Sequence, residues 1–152
     1  MKTNKILQTI QEALGLSSAD ISKAYELAEC NIDALHINDL LNNVTECSFE
    51  ELGSFLDGLI ILKRGLSLQK NNNDEIVELN NNLILKKLRI ALELKEAEME
   101  IIFGLGEVQL SKQQLSSLFR KEGHKNFKTC SDELLTSFLE GLDEFYYVDE
   151  EK

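Results

Sequence analysis

Apolar residues recur along this chain at intervals of three and four, the spacing that gathers them on one side of a helix. Ile6, Ile10, Ala13 and Leu14 keep that period, and so do Ile84, Leu88, Ala91 and Leu92. These runs are copies of each other. A constant shift of 78 positions carries Ile6-Leu7 onto Ile84-Leu85, Asn4 onto Asn82, Leu27 onto Leu105, Ile37 onto Leu115 and Leu40 onto Leu118. Further along the shift becomes 83. Cys47-Ser48 then falls on Cys130-Ser131, and Ser54-Phe55-Leu56-Asp57-Gly58-Leu59 falls on Ser137-Phe138-Leu139-Glu140-Gly141-Leu142. The second copy therefore carries five extra residues, within Lys121–Thr129. Self-similarity of this length marks one structural unit written twice.

Each copy reads as four helices. The first, near 4–15 and 82–94, opens on Asn4 or Asn82, asparagine being a good N-cap. The second, near 18–29 and 96–105, carries Ile21, Ala24 and Tyr25 in one copy and Met99, Ile102 and Phe103 in the other. The third follows Asp33 in copy one; in copy two it follows Ser111, with Gln114 completing a capping box. The fourth starts at Ser48, boxed by Glu51, and at Ser131, with Asp132 and Glu133 on the positive end of the helix. The chain has no proline, the residue that helix interiors exclude. These features predict an all-α fold, two tandem copies of a four-helix unit with pseudo-twofold symmetry. Repeat one spans 1–65, an asparagine-rich linker spans 66–81, and repeat two spans 82–152 with an acidic C-terminal tail.

Two matched pairs stand out. Cys47 and Cys130 directly precede the capping serines, the position from which an apolar side chain packs against Leu52 or Leu135 one turn on. Cysteine behaves there as a small buried hydrophobe. Gly58 and Gly141 lie inside the fourth helices, where glycine costs about 1 kcal/mol relative to alanine. Their matched placement predicts that these two helices cross near the twofold axis, with the glycines at the contact.

Charge and chemistry narrow the function. A net charge of −11 repels nucleic acid and anionic membrane from the molecule as a whole. No run approaches the roughly 20 apolar residues that span a bilayer, and the first sixteen residues are too polar for a signal peptide or anchor. Three cysteines without paired spacing suit reduced thiols, which places the protein in the cytoplasm. His36, His124 and the scattered cysteines do not make the short-spaced set that zinc requires, so no metal or cofactor is expected and both histidines read as structural. Phosphate-cradling glycine loops and serine-nucleophile elbows are missing from the sequence. Cys130 with His124 as base would lack an orienting third group. The resulting expectation is a cytoplasmic, non-enzymatic protein-interaction or regulatory module without catalytic residues.

The alternative is a module that binds an anionic ligand or nucleic acid. Residues 82–152 hold 10 of the 16 lysines and arginines. Lys86, Lys87 and Arg89 lie in the first turns of a helix, where the macrodipole disfavours cations. His124, Lys125, Asn126, Phe127 and Lys128 lie in or beside the insertion. If the inserted loop folds over the first helix of its copy, these eight residues converge on an anion-binding surface; otherwise they form a solvated face. Copy one has Gln8, Thr9 and Gln11 in place of the three helix cations, so such a site is single per chain.

The run Asn82-Leu83-Ile84-Leu85-Lys86-Lys87-Leu88-Arg89-Ile90-Ala91-Leu92 resembles the bacterial YehS-like family, as do His124-Lys125-Asn126-Phe127, Cys130-Ser131-Asp132 and Phe138-Leu139-Glu140-Gly141-Leu142. That family consists of small duplicated proteins with a domain of unknown function, and the resemblance covers essentially the whole chain. It implies the duplication and carries no activity, substrate or cofactor. Copy one departs from the family pattern, because its loop before Cys47 is shortened and lacks the acidic stretch ending in Gly-Phe.

Overall fold

A computed structural model describes residues 2–65 and 79–150, with side chains as far as Tyr146. Among the described residues the chain is all-helical, without a strand. Its helices are α1 (Thr3–Leu14), α2 (Ser18–Leu27), α3 (Ala34–Leu41), α4 (Phe49–Arg64), α5 (Asn81–Leu92), α6 (Glu96–Leu105), α7 (Lys112–Ser117) and α8 (Asp132–Glu150). Capping boxes begin α2, α4 and α7 at Ser17, Ser48 and Ser111, and Asp33 caps α3. Most of the linker expected over 66–81 falls outside the described residues, but its last residue, Asn81, already belongs to α5.

One expectation about the caps is corrected. Asn4 and Asn82 are not N-caps: Lys2 and Asn80 hold those positions, and each expected cap is the second residue of its helix. Asparagine is an ordinary N-cap, so the sequence pattern alone cannot separate a cap from a tertiary contact two residues later.

The two halves do not sit side by side as closed bundles. α2 packs on α4 and α6 on α8 within each half, but α4 also packs on α5, and α1 on α8. Two side chains show how α4 and α5 run. Lys87 Nζ lies 2.5 Å from Asp57 Oδ1, and Arg64 Nη1 donates to the Ile90 carbonyl at 2.9 Å. Residue numbers rise together along both helices, which are therefore parallel. A single apolar core runs through both halves, from Ile6 and Leu7 through Phe55 and Leu56 to Phe103, Phe138 and Leu139.

The glycines act at a different crossing from the one predicted. A Cβ on Gly58 would lie 1.8 Å from the Ala24 carbonyl oxygen, and one on Gly141 would lie 1.9 Å from that of Ile102. Each glycine admits α2 against α4, or α6 against α8, inside its own half. The partners also correspond, since Ala24 and Ile102 are related by the 78-residue shift. The spacing of the pair revealed that a close approach exists but not which helix makes it.

Gly58→Ala and Gly141→Ala are each expected to destabilise the fold by about 3 kcal/mol, because backbone has to separate from backbone. Gly53→Ala, in open space on the same helix as Gly58, is expected to stabilise by up to about 1 kcal/mol. Urea denaturation followed by circular dichroism compares the three.

Candidate functional site

The amide groups of Asn4 and Asn82 organise the loops before α4 and α8. Asn4 Nδ2 donates to the carbonyls of Leu40 and Thr45, both at 2.9 Å, while its Oδ1 accepts from the Cys47 N–H at 2.8 Å. Asn82 Nδ2 donates to Leu118 at 3.0 Å and Lys128 at 2.9 Å, and its Oδ1 accepts from the Cys130 N–H at 2.8 Å. Neighbouring side chains reinforce both clamps: Thr3 Oγ1 donates to the Cys47 carbonyl, and Asn81 Nδ2 donates to the Cys130 carbonyl at 3.1 Å. The start of α1 is thereby fixed to the start of α4, and that of α5 to that of α8. Because α4 and α5 run in the same direction, all four helices begin at one end of the molecule.

Two grooves open at that end. The larger, of about 780 Å³, is walled by Lys2, Lys5, Gln8, Glu46, Cys47 and Phe49, among others. The smaller, of about 350 Å³, is walled by Leu79, Asn81, Phe127, Thr129, Cys130 and again Phe49. Phe49, the first residue of α4, is 54% exposed and forms the ridge between them.

The eight cluster residues expected in repeat two do not form one site. Lys87 is joined to Asp57 across the two halves. Arg89 donates from Nε to the Leu94 carbonyl at 3.2 Å and stacks its guanidinium over the Phe119 ring, 4.7 Å from the centroid. Lys86, His124, Lys125, Asn126 and Lys128 are exposed, and Phe127 is half-buried. The inserted loop is held against α5 through the Asn82 bond to Lys128, and its turn is closed by His124 N–H to Lys121 and Lys128 N–H to Ser117. Asn126, however, lines a third groove, of about 580 Å³, with Lys112, Gln113, Ser117 and Arg120, away from Phe127. His124 Nδ1 accepts from the Asn126 N–H at 3.0 Å rather than reaching Cys130.

Both matched thiols are buried, and their Sγ atoms lean toward the carbonyls of Ser48 and Ser131 at 3.5 and 3.6 Å. Burial, and then the Glu51 carboxylate, push Cys47 up to about 12. Burial and Asp132, opposed by Lys128, push Cys130 up to about 11. Both stay protonated near neutral pH, whereas the reactive form of cysteine is the thiolate.

A polar cluster that sequence reading missed lies in the first half. His36 Nε2 sits 2.6 Å from Glu51 Oε2, and Glu51 Oε1 accepts from the Ser48 N–H at 2.9 Å. The fully buried Tyr25 hydroxyl has no hydrogen-bond partner among the described residues, and burial, then the neighbouring Cys47 and Glu51 groups, raise its pKa. The repeat shifts place Phe103, Gln114 and Leu134 at the corresponding positions of the second half. Comparing the copies at polar positions as well as basic ones would have exposed this difference.

The doubled clamp agrees with the comparison with protein families. The family described as "Protein of unknown function (DUF1456)" matches residues 3–65 and again residues 81–146. This chain belongs to that family. Among its relatives, the "Uncharacterized protein YehS" of Escherichia coli (strain K12) is 33% identical over 147 residues, covering 93% of this DUF1456 chain and 94% of that protein. The YehS-like resemblance of the sequence is therefore real. No solved structure matches the chain.

Two measurements probe these environments. With a thiol reagent at pH 8, partly exposed Cys30 is expected to label in the native protein, while Cys47 and Cys130 label only on unfolding; mass spectrometry of peptides reads the difference. The second concerns Glu51. Burial alone would raise its carboxyl, but the Ser48 N–H and then His36 outweigh burial and hold it below the ordinary 4.5. A depressed folded value means that Glu51's contribution to stability is complete above pH 4.5 and is lost as pH falls through the folded value. Glu51→Gln is expected to be less stable at pH 7 and to flatten the loss of stability below about pH 4.5, checked by urea midpoints across pH.

Proposed function

We propose that this protein is a non-enzymatic, cytoplasmic interaction or regulatory module that docks a partner protein at the end where α1, α4, α5 and α8 begin. The observation that carries this reading is Phe49, an exposed aromatic ridge between two grooves in a protein whose other phenylalanines are buried or half-buried. Exposed Val44 stands beside the larger groove, between its lining residues Asn43 and Thr45. An aromatic anchor flanked by concave, mixed-polarity surface is what protein interfaces enrich. The buried, protonated thiols favour a non-catalytic role over nucleophilic chemistry. The matched asparagine clamps favour two four-helix units related by a pseudo-twofold axis, over 1–65 and 82–152.

A second reading, an anionic-ligand module, has one observation in its favour. The clamp from Asn82 holds the inserted loop, with exposed Lys128, against the helix that bears exposed Lys86. Nucleic acid is the less suitable anion for it, given the net charge of −11.

Affinity capture of the tagged chain from a lysate of its native cells separates the readings. The docking reading expects a co-purifying protein that is retained by Lys86→Glu and lost, by about tenfold or more, with Phe49→Asp. Capture unaffected by Phe49→Asp refutes it. Loss with Lys86→Glu, steepening with salt, is the result expected of the anionic-ligand reading.

A further inference from the structure

We propose that the larger groove takes an acidic linear segment of another protein, with an apolar side chain set against Phe49 and a carboxylate facing Lys2 and Lys5. This rests on the docking reading above and names the chemistry of the partner. Charge complementarity carries it. The molecule as a whole is strongly acidic, with 27 acidic against 16 basic residues. The groove reverses that balance, since its walls hold exposed Lys2 and Lys5 against the single Glu46. No ion pair engages either lysine among the described residues, in contrast to Lys23, which is paired with Glu26, and Lys87, which is paired with Asp57.

The helix ends meeting there are also unequal. α4 starts with Glu50 and Glu51 in its first turn, and α8 with Asp132 and Glu133. α1 has no acidic residue in its first turn, and its N-cap Lys2 makes no side-chain cap. The first turn of α1 supplies no carboxylate, although the positive end of that helix favours one electrostatically. Phe49 supplies apolar surface within the same opening, so a segment recognised here combines both properties. The smaller groove shares Phe49 but has Glu122 and no lysine, so it lacks this preference. An acidic segment is repelled by the remaining surface, which makes the groove selective by position as well as by contact.

The test uses the full chain and fluorescein-labelled synthetic hexapeptides in which one leucine or phenylalanine is flanked by glutamates, with glutamine-flanked and lysine-flanked controls. Fluorescence anisotropy at low salt is expected to show saturable binding of the glutamate peptides only. That binding should weaken about tenfold or more in Lys2→Glu/Lys5→Glu and in Phe49→Asp, weaken with salt, and be unchanged in Lys86→Glu. All four positions are exposed, and circular dichroism checks that each variant is folded. Failure of the glutamate peptides to bind, or equal binding of the lysine-flanked ones, overturns the proposal. If captured protein is still lost with Phe49→Asp in that case, the docking reading survives without it. If capture is also insensitive to Phe49, both fall. Concentration-dependent self-association that Phe49→Asp abolishes would overturn the proposal in favour of a second copy of this chain.

Discussion

The asparagine clamp is the contact on which the rest of the molecule depends. Asn4 and Asn82 each use both amide hydrogens and the carbonyl oxygen to join three backbone segments: the end of a short helix, the loop that follows, and the cysteine before the capping serine of the next long helix. The Leu40 carbonyl and the Cys47 amide are buried and would otherwise lack partners, at a cost of roughly 1–3 kcal/mol each, whereas the bonds from Asn82 lie nearer the surface. Removing Asn4 therefore leaves both buried groups unsatisfied together. The clamp also decides geometry, because it sets the starting points of α1 and α5 beside those of α4 and α8.

Once the starts are fixed, the interlocked packing follows. α4 lies parallel to α5 and α1 lies on α8, so each half completes its apolar burial against the other. Parallel neighbours set like helix ends side by side, which is electrostatically unfavourable. Glu50, Glu51, Asp132 and Glu133 in the first turns of α4 and α8 offset the accumulated positive ends. The glycines solve a separate problem: Gly58 and Gly141 let backbone meet backbone where α2 and α6 cross the long helices.

The copies are alike where folding requires it and unlike in their polar chemistry. Cys47 and Cys130, Ser48 and Ser131, and the two clamps recur at corresponding places. Polar divergence occurs in both halves. The second has its insertion and basic residues; the first has Tyr25, His36 and Glu51 where the second has Phe103, Gln114 and Leu134. Two of the cations expected as ligand contacts have partners within the chain. Lys87 ties α5 to α4 and Arg89 covers Phe119, uses that a charge count cannot distinguish from binding.

The sequence by itself determined the helices, the duplication, the capping boxes and the burial of the cysteines. Each of these is written in local spacing: the 3.6-residue period, a serine three residues before an acid or amide, and a constant shift between copies. Tertiary structure alone decided that Asn4 and Asn82 clamp loops rather than cap helices, that the glycines face α2 and α6, and that Lys87 is spent on Asp57. It also decided that Phe49, a residue of ordinary appearance at the start of α4, stands exposed between two grooves. These depend on which surfaces meet across tens of residues. Side chains of one chemistry serve as cap, clamp or contact according to the neighbour that packing brings to them.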